Sequence, residues 1–229
     1  MIGAGPWLSA FLLLAGGIQP AAAQIRGEPP AVAAAEKLLA AVGGREAWAG
    51  PRTFYVEEQV FLRSGEVADL KIWRDTVRGA RRLERRTPSG KFVEWLAADG
   101  GFDARNGVVR RLPPEELAIE MRGLKQEPYA IYRQIATRDP ELRVELRDTN
   151  ALYFFGGDGQ ALCWFLLNDA GAPISWANFY NGSINQHYYG PLVDVGDANL
   201  PKWGASATGL RFEYKAAKFL TTMVSQPAP

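Results

Sequence analysis

The chain has 229 residues, 47% of them hydrophobic and 22% charged, and its 26 Lys and Arg against 25 Asp and Glu leave a formal net charge of +1. A composition this apolar and aromatic can bury a core, which excludes intrinsic disorder, and the missing basic excess argues against a nucleic-acid partner. One Cys rules out an intrachain disulfide, and one His beside it rules out most zinc sites and most Cys/His catalytic pairs.

Residues 7–18 read WLSAFLLLAGGI, a run too short for the roughly 20 residues of a bilayer-spanning helix. Small residues follow, and the pattern matches a secretory signal cut after Ala23. No Cys lies near that cut, since the only one is Cys163, so the acylation signal of a bacterial lipoprotein is absent. The expectation is a signal peptide over 1–23 and one domain over 24–229, exported, periplasmic and monomeric, peripheral to a membrane at most.

Residues 32–49 are rich in Ala, Leu, Glu and Lys and predict a helix, broken at Gly43-Gly44. Strand text follows over 53–63, 67–74, 81–87, 91–97 and 108–112, with turns at Ser64-Gly65, Ser89-Gly90, Asp99-Gly100 and Asn106-Gly107. On the first of these strands Phe54, Val56, Val60 and Leu62 share one face and Glu57 and Gln59 the other. A two-residue turn at Ser64-Gly65 would set Val56 opposite Trp73 and Glu58 opposite Lys71. Connections this short require antiparallel neighbours, hence a meander.

Pro113-Pro114-Glu115-Glu116 opens a helix that Gly123 should interrupt, and Pro128 opens another over 129–137. Strand text resumes over 142–147, 152–155, 161–167, 174–180, 183–189 and 210–215. The fold class expected is α+β: a curved antiparallel sheet, an incomplete barrel, with helices packed into its concave face. Residues 161–167, ALCWFLL, are apolar on both faces and predict cover on both. A ligand would lie between cover and sheet.

The helix LLAAVGGREAWAGPRTF, the hairpin SGEVADLKIWRD, the Asp99-Gly100-Gly101-Phe102 turn before VVRRL and PPEEL, and the late VDVGDANLPKW together resemble the LolA/LolB-like superfamily of periplasmic lipoprotein carriers and outer-membrane lipoprotein-sorting homologues. The resemblance runs over 32–219 in order of elements and rests on patterning and turn positions. It implies an open antiparallel barrel lidded by helices, with a preference for acyl chains or other apolar ligands. It does not extend to the sorting role itself.

The residues expected to line a groove for an apolar ligand are Val56, Trp73, Trp95, Phe154, Trp164, Trp176 and Tyr188, with Phe179 beside them. The run Arg78–Arg86 and the pair Arg110-Arg111 read as solvated strand faces or as contacts for phospholipid head groups or an acidic partner. His187 lacks a nucleophile elbow and reads as structural, and Cys163 as a small buried hydrophobe. Asp99, Asp103, Asp158 and Asp169 sit in turns without the spacing of a calcium loop. Asn181-Gly182-Ser183 matches a glycosylation sequon but reads as a hairpin turn. The sequence therefore predicts a carrier for a hydrophobic small molecule, lipid or lipoprotein, without cofactor or metal and without enzymatic activity. A module that binds another envelope protein is the alternative, and a cofactor-free enzyme on a hydrophobic substrate ranks third.

Overall fold

The Ala- and Leu-rich opening forms α1 (Pro29–Ala41) and α2 (Gly44–Ala49) in a computed structural model that describes residues 24–222 and 225–226. The expected signal peptide lies outside the described residues. The break between the helices falls at Gly43 and Gly44, both at positive φ, where a side chain would be strained.

A meander follows: β1 (Thr53–Phe61), β2 (Val67–Asp75), β3 (Ala80–Thr87), β4 (Gly90–Ala97), β5 (Gly100–Arg105) and β6 (Val108–Arg111). The sequence text placed only a turn where β5 lies. Ala97 pairs with Gly100, so the loop is Ala98-Asp99 and Gly100 already belongs to the strand. The β1–β2 register also differs from the expected one. Val56 pairs with Ile72 and Glu58 with Leu70, because the loop has three residues, Arg63-Ser64-Gly65, closed by Leu62 donating to Glu66 at 2.9 Å. Gly65 at φ +86° supplies the left-handed residue that such a loop needs. That single extra residue moves Trp73 to the face opposite Val56.

From β6 the chain crosses to the far edge through α3 (Pro114–Gln126) and α4 (Pro128–Thr137). Gly123 does not interrupt α3, contrary to the sequence expectation. A side chain there would meet the Tyr180 ring at 3.3 Å, so this glycine is a packing residue that lets helix and sheet approach.

The second half runs β7 (Arg143–Arg147), β8 (Ala151–Phe155), β9 (Ala161–Leu167), β10 (Pro173–Tyr180) and β11 (Ser183–Tyr189). Then come a ribbon, β12 (Leu192–Asp194) with β13 (Asn199–Pro201), and finally β14 (Gly204–Ser206) and β15 (Arg211–Leu220). The three short strands β12 to β14 and the last five residues of β15 were not read from the sequence. Thirteen strands form one curved, open antiparallel sheet in the order β6-β5-β4-β3-β2-β1-β15-β14-β11-β10-β9-β8-β7. The fold class is α+β.

β15 joins the two halves, and it carries an irregularity that decides which side chains face the helices. Glu57 pairs with Ala216 and Glu58 with Tyr214, so Lys215 is an extra residue. Alternation from Phe219 and Ala217 would have turned Lys215 and Glu213 inward. The bulge instead turns Tyr214 and Phe212 inward and leaves Lys215 and Glu213 paired with each other outside.

The core lies between the helices and one face of the sheet. Leu38, Leu39, Trp48, Ile131, Tyr132 and Ile135 meet Phe54, Val56, Phe154, Cys163 and Phe165 there. Trp48 is its centre, 2% exposed, with ring centroids 4.8 Å from Phe54, 4.9 Å from Phe219 and 5.1 Å from Tyr132. On β9 only Cys163, Phe165 and Leu167 are buried, whereas Trp164 and Leu166 are half-buried. The expected cover on both faces is thus found on one. Trp48→Ala should lower unfolding free energy by about 3–5 kcal/mol, read as a shift in urea midpoint with little change in slope.

Candidate ligand-binding cleft

The register sorts the sequence-expected groove residues onto two faces. Val56, Phe154 and Trp176 stand on the helix-bearing face; Trp73, Trp95, Trp164 and Tyr188 stand on the other. Val56 and Phe154 are fully buried within the core. On the opposite face the aromatics stack among themselves and under arginines. Trp73 lies between Tyr55 at 4.9 Å and the Arg82 guanidinium at 4.9 Å, and Trp164 between Tyr153 at 5.6 Å and Phe179 at 5.3 Å. Of the seven, only Trp176 borders the cleft that the helices leave open.

That cleft has a volume of about 340 Å³ and lies where β1, β2, β3, β10, β11 and β15 pass the start of α4. Val60, Leu62, Leu70, Leu210, Phe212 and Trp176 form its apolar wall. Glu58, Arg74, Arg85, Glu127, Tyr129, Asn185, His187, Tyr189 and Tyr214 are its polar lining. A hollow of about 630 Å³ at the β7 edge is larger, but its charged walls are already closed by Glu145 pairing with both Arg143 and Arg147.

Glu127 fixes the roof. It is the residue between α3 and α4, and it accepts from Arg74 on β2 and, at 2.7 Å, from Arg81 on β3. Burial works against its charge, yet the two guanidinium groups hold its carboxyl below the usual range. Arg81 also donates to Glu94 at 2.9 Å, and the Arg74 guanidinium lies 4.4 Å from the Tyr129 ring centre. Arg74 Nη1 is buried with no hydrogen-bond partner.

Glu58 is different. No hydrogen bond or ion pair within the described residues reaches its carboxyl, and burial pushes that carboxyl up to about 7, against the pull of Arg74 and with the help of Glu127. His187 stands on the far wall between the Trp176 ring at 5.0 Å and the Phe212 ring at 5.8 Å, and burial lowers its imidazole to about 4. It is neutral throughout the neutral range. The hydroxyls of Tyr129, Tyr189 and Tyr214 are likewise pushed upward by burial, and the Tyr129 and Tyr214 hydroxyls bond to each other.

Gly204 on β14 makes room for the cleft wall: a side chain there would run into the Phe212 ring at 2.1 Å. Arg81 and Arg85 of the basic run face the helices, while Arg82 faces out and pairs with Glu84. A solvated face therefore accounts for only part of that run. Arg110 pairs with Asp103 and Glu116, and Asn181-Gly182 is the expected tight turn with both residues at positive φ. Cys163 is buried, with its thiol pushed up by burial. Among the described residues no three His, Cys, Asp or Glu side chains converge on a metal-sized point. No helix among them is long and apolar enough to cross a membrane.

No protein-family model matches the chain, and no curated protein matches it in sequence.

Glu58 sets a pH-dependent stability term. Its folded pKa is raised, so the carboxyl is neutral in both states below the unfolded value of 4.5, and the fold loses stability as pH rises through about 7. Glu58→Gln should equal the wild type in unfolding free energy near pH 4 and exceed it near pH 8 by up to about 3 kcal/mol, measured by urea unfolding across that range.

Proposed function

We propose that this chain is an exported periplasmic binding or carrier protein for a hydrophobic small molecule or acyl chain, of the lipoprotein-carrier kind its residue pattern resembles, with α3 and α4 acting as a lid over the concave side of an open barrel. The observation that carries this reading is the cleft of about 340 Å³ under the start of α4, walled by Val60, Leu62, Leu70, Leu210, Phe212 and Trp176. Its volume falls in the usual range for small-molecule sites. Each methylene removed from water contributes about 0.8 kcal/mol, so a long acyl chain accumulates enough for firm binding without specific contacts.

Exposed Phe179, Ile184 and Tyr188 on the opposite face favour a second reading, a surface for another envelope protein. The two readings separate cleanly. A fluorescent fatty-acid probe should bind the purified protein and be displaced by unlabelled acyl chains, and Val60→Asp should weaken it at least tenfold by placing a charge in the apolar wall. Ile184→Lys should leave probe binding intact. An unchanged probe signal with the folded protein, together with no lipid in its organic extract, overturns the carrier reading.

A further inference from the structure

We infer that the ligand enters this cleft head first, with an anionic carboxylate head held at the inner end by Arg74 and Arg85 and its apolar chain lying toward the β1–β2 hairpin. The inference rests on the carrier reading above and names the ligand class of the same site.

The first support is the order of residues along the cleft. Rows across the sheet run Tyr214–Glu58–Leu70–Arg85 and, two residues nearer the hairpin, Phe212–Val60–Ala68. Leu62 and Leu210 lie beyond that second row. Arg74, Glu127 and Tyr129 lie at the other end, under the start of α4. Polarity therefore falls from the covered end toward the hairpin. A chain laid the other way would set methylenes against Arg74 and Glu58.

The second support is which polar groups remain without partners. Glu127 is satisfied by Arg74 and Arg81. Arg74 Nη1 has no acceptor, and Arg85 makes no ion pair among the described residues, its guanidinium lying 4.9 Å from the Phe92 ring centre. The side chains of Asn185, His187 and Tyr189 likewise have no hydrogen bond within the described residues and can donate. With Glu127 neutralised, the spare groups are mainly donors, and the spare guanidinium groups favour an anion. Carboxylate matches a guanidinium through paired N–H donors.

Glu58 makes this binding depend on protons. The charged or titratable groups around it are Arg74 on β2, Arg85 on β3, Glu127 and Tyr129 at the start of α4, His187 and Tyr189 on β11 and Tyr214 on β15. Only Glu58 changes charge near neutrality within that set. Protonated, it can donate to the ligand's carboxylate; ionised, it repels it. Affinity for an acid therefore falls as pH rises through about 7.

The test compares decanoate, 1-decanol and decyltrimethylammonium by calorimetry and Trp fluorescence on the purified protein. Decanoate should bind about tenfold more tightly than decanol near pH 6, as charge-assisted hydrogen bonds require. Its affinity should fall between about pH 6 and pH 8.5 while that of decanol stays level. Arg85→Gln should collapse the preference for the acid, and Glu58→Gln should flatten the pH profile; circular dichroism confirms that each variant is folded. Decanol binding as tightly as decanoate overturns the head-group assignment and leaves the carrier reading standing. Tighter binding of decyltrimethylammonium also overturns it, because the aromatic wall with Glu58 would then be a cation site. If none of the three binds the folded protein, both readings fall.

Discussion

Glu127 clasped between Arg74 and Arg81 is the contact on which the arrangement of helices over the sheet depends. The residue sits at the junction of α3 and α4, in extended conformation between two helices, with Pro128 starting the second. A junction of one residue allows little freedom, so fixing its side chain to two adjacent strands fixes both helices. Asn178 donating to Gln126 at 3.2 Å and Tyr180 bonding to Glu120 extend the attachment along α3 to β10. Burying such charges is expensive, and the compensation is coordinated: each guanidinium meets at least one carboxylate. This clasp, together with the Tyr129 ring packed 4.8 Å from Phe54, holds the start of α4 over β1 and β2.

The other half of the cleft depends on one extra residue in β15. Without the bulge at Lys215, the strand that closes the sheet against β1 would present Lys215 and Glu213 to the helices. With it, one strand contributes Phe219 and Ala217 to the core and Tyr214 and Phe212 to the cleft. Gly204 then leaves room for the Phe212 ring against β14. Local irregularity in the backbone thus does what no side-chain substitution at a regular position could do. It changes from core to site within a single strand.

Much of the architecture was legible from short-range signals. Asn106-Gly107 and Asn181-Gly182 have the positive φ angles of tight hairpins, and the strands on either side of Asn181-Gly182 follow directly, as does the one after Asn106-Gly107. The helix break at Gly43-Gly44 and the start of α4 at Pro128 were equally plain. What the text hid were features that depend on register over longer distances. A three-residue loop and a two-residue loop look alike at Ser64-Gly65, and the choice sends Trp73 to one face or the other. The break in alternation at Ala216-Ala217 made β15 look as if it ended five residues early. The cleft residues themselves, Arg74, Glu127, Tyr129 and Tyr214, come from three elements and the α3–α4 junction and carry no common motif. One signal was present and passed over. On β1 the inward positions read Phe54, Val56, Glu58, Val60, and a carboxylate inside that apolar series marks a position the core did not choose.

The comparison of Glu58 with the other shielded acids sharpens this point. Asp75, 2% exposed, accepts from Arg52 at 3.0 Å and from the backbone of Val77 and Arg78 at 3.1 and 2.8 Å. Asp103 has Arg110, and Glu94 has Arg81. Each of these is a charge that the fold has enclosed and satisfied. Glu58 alone faces the cleft with neither a donor nor an ion pair within the described residues, and burial without a partner pushes its carboxyl upward. A leucine or glutamine in its place would pack against Leu70 and Tyr214 at lower cost. Stability therefore supplies no reason for a carboxyl here, whereas a ligand whose charge the proton on Glu58 could meet does supply one.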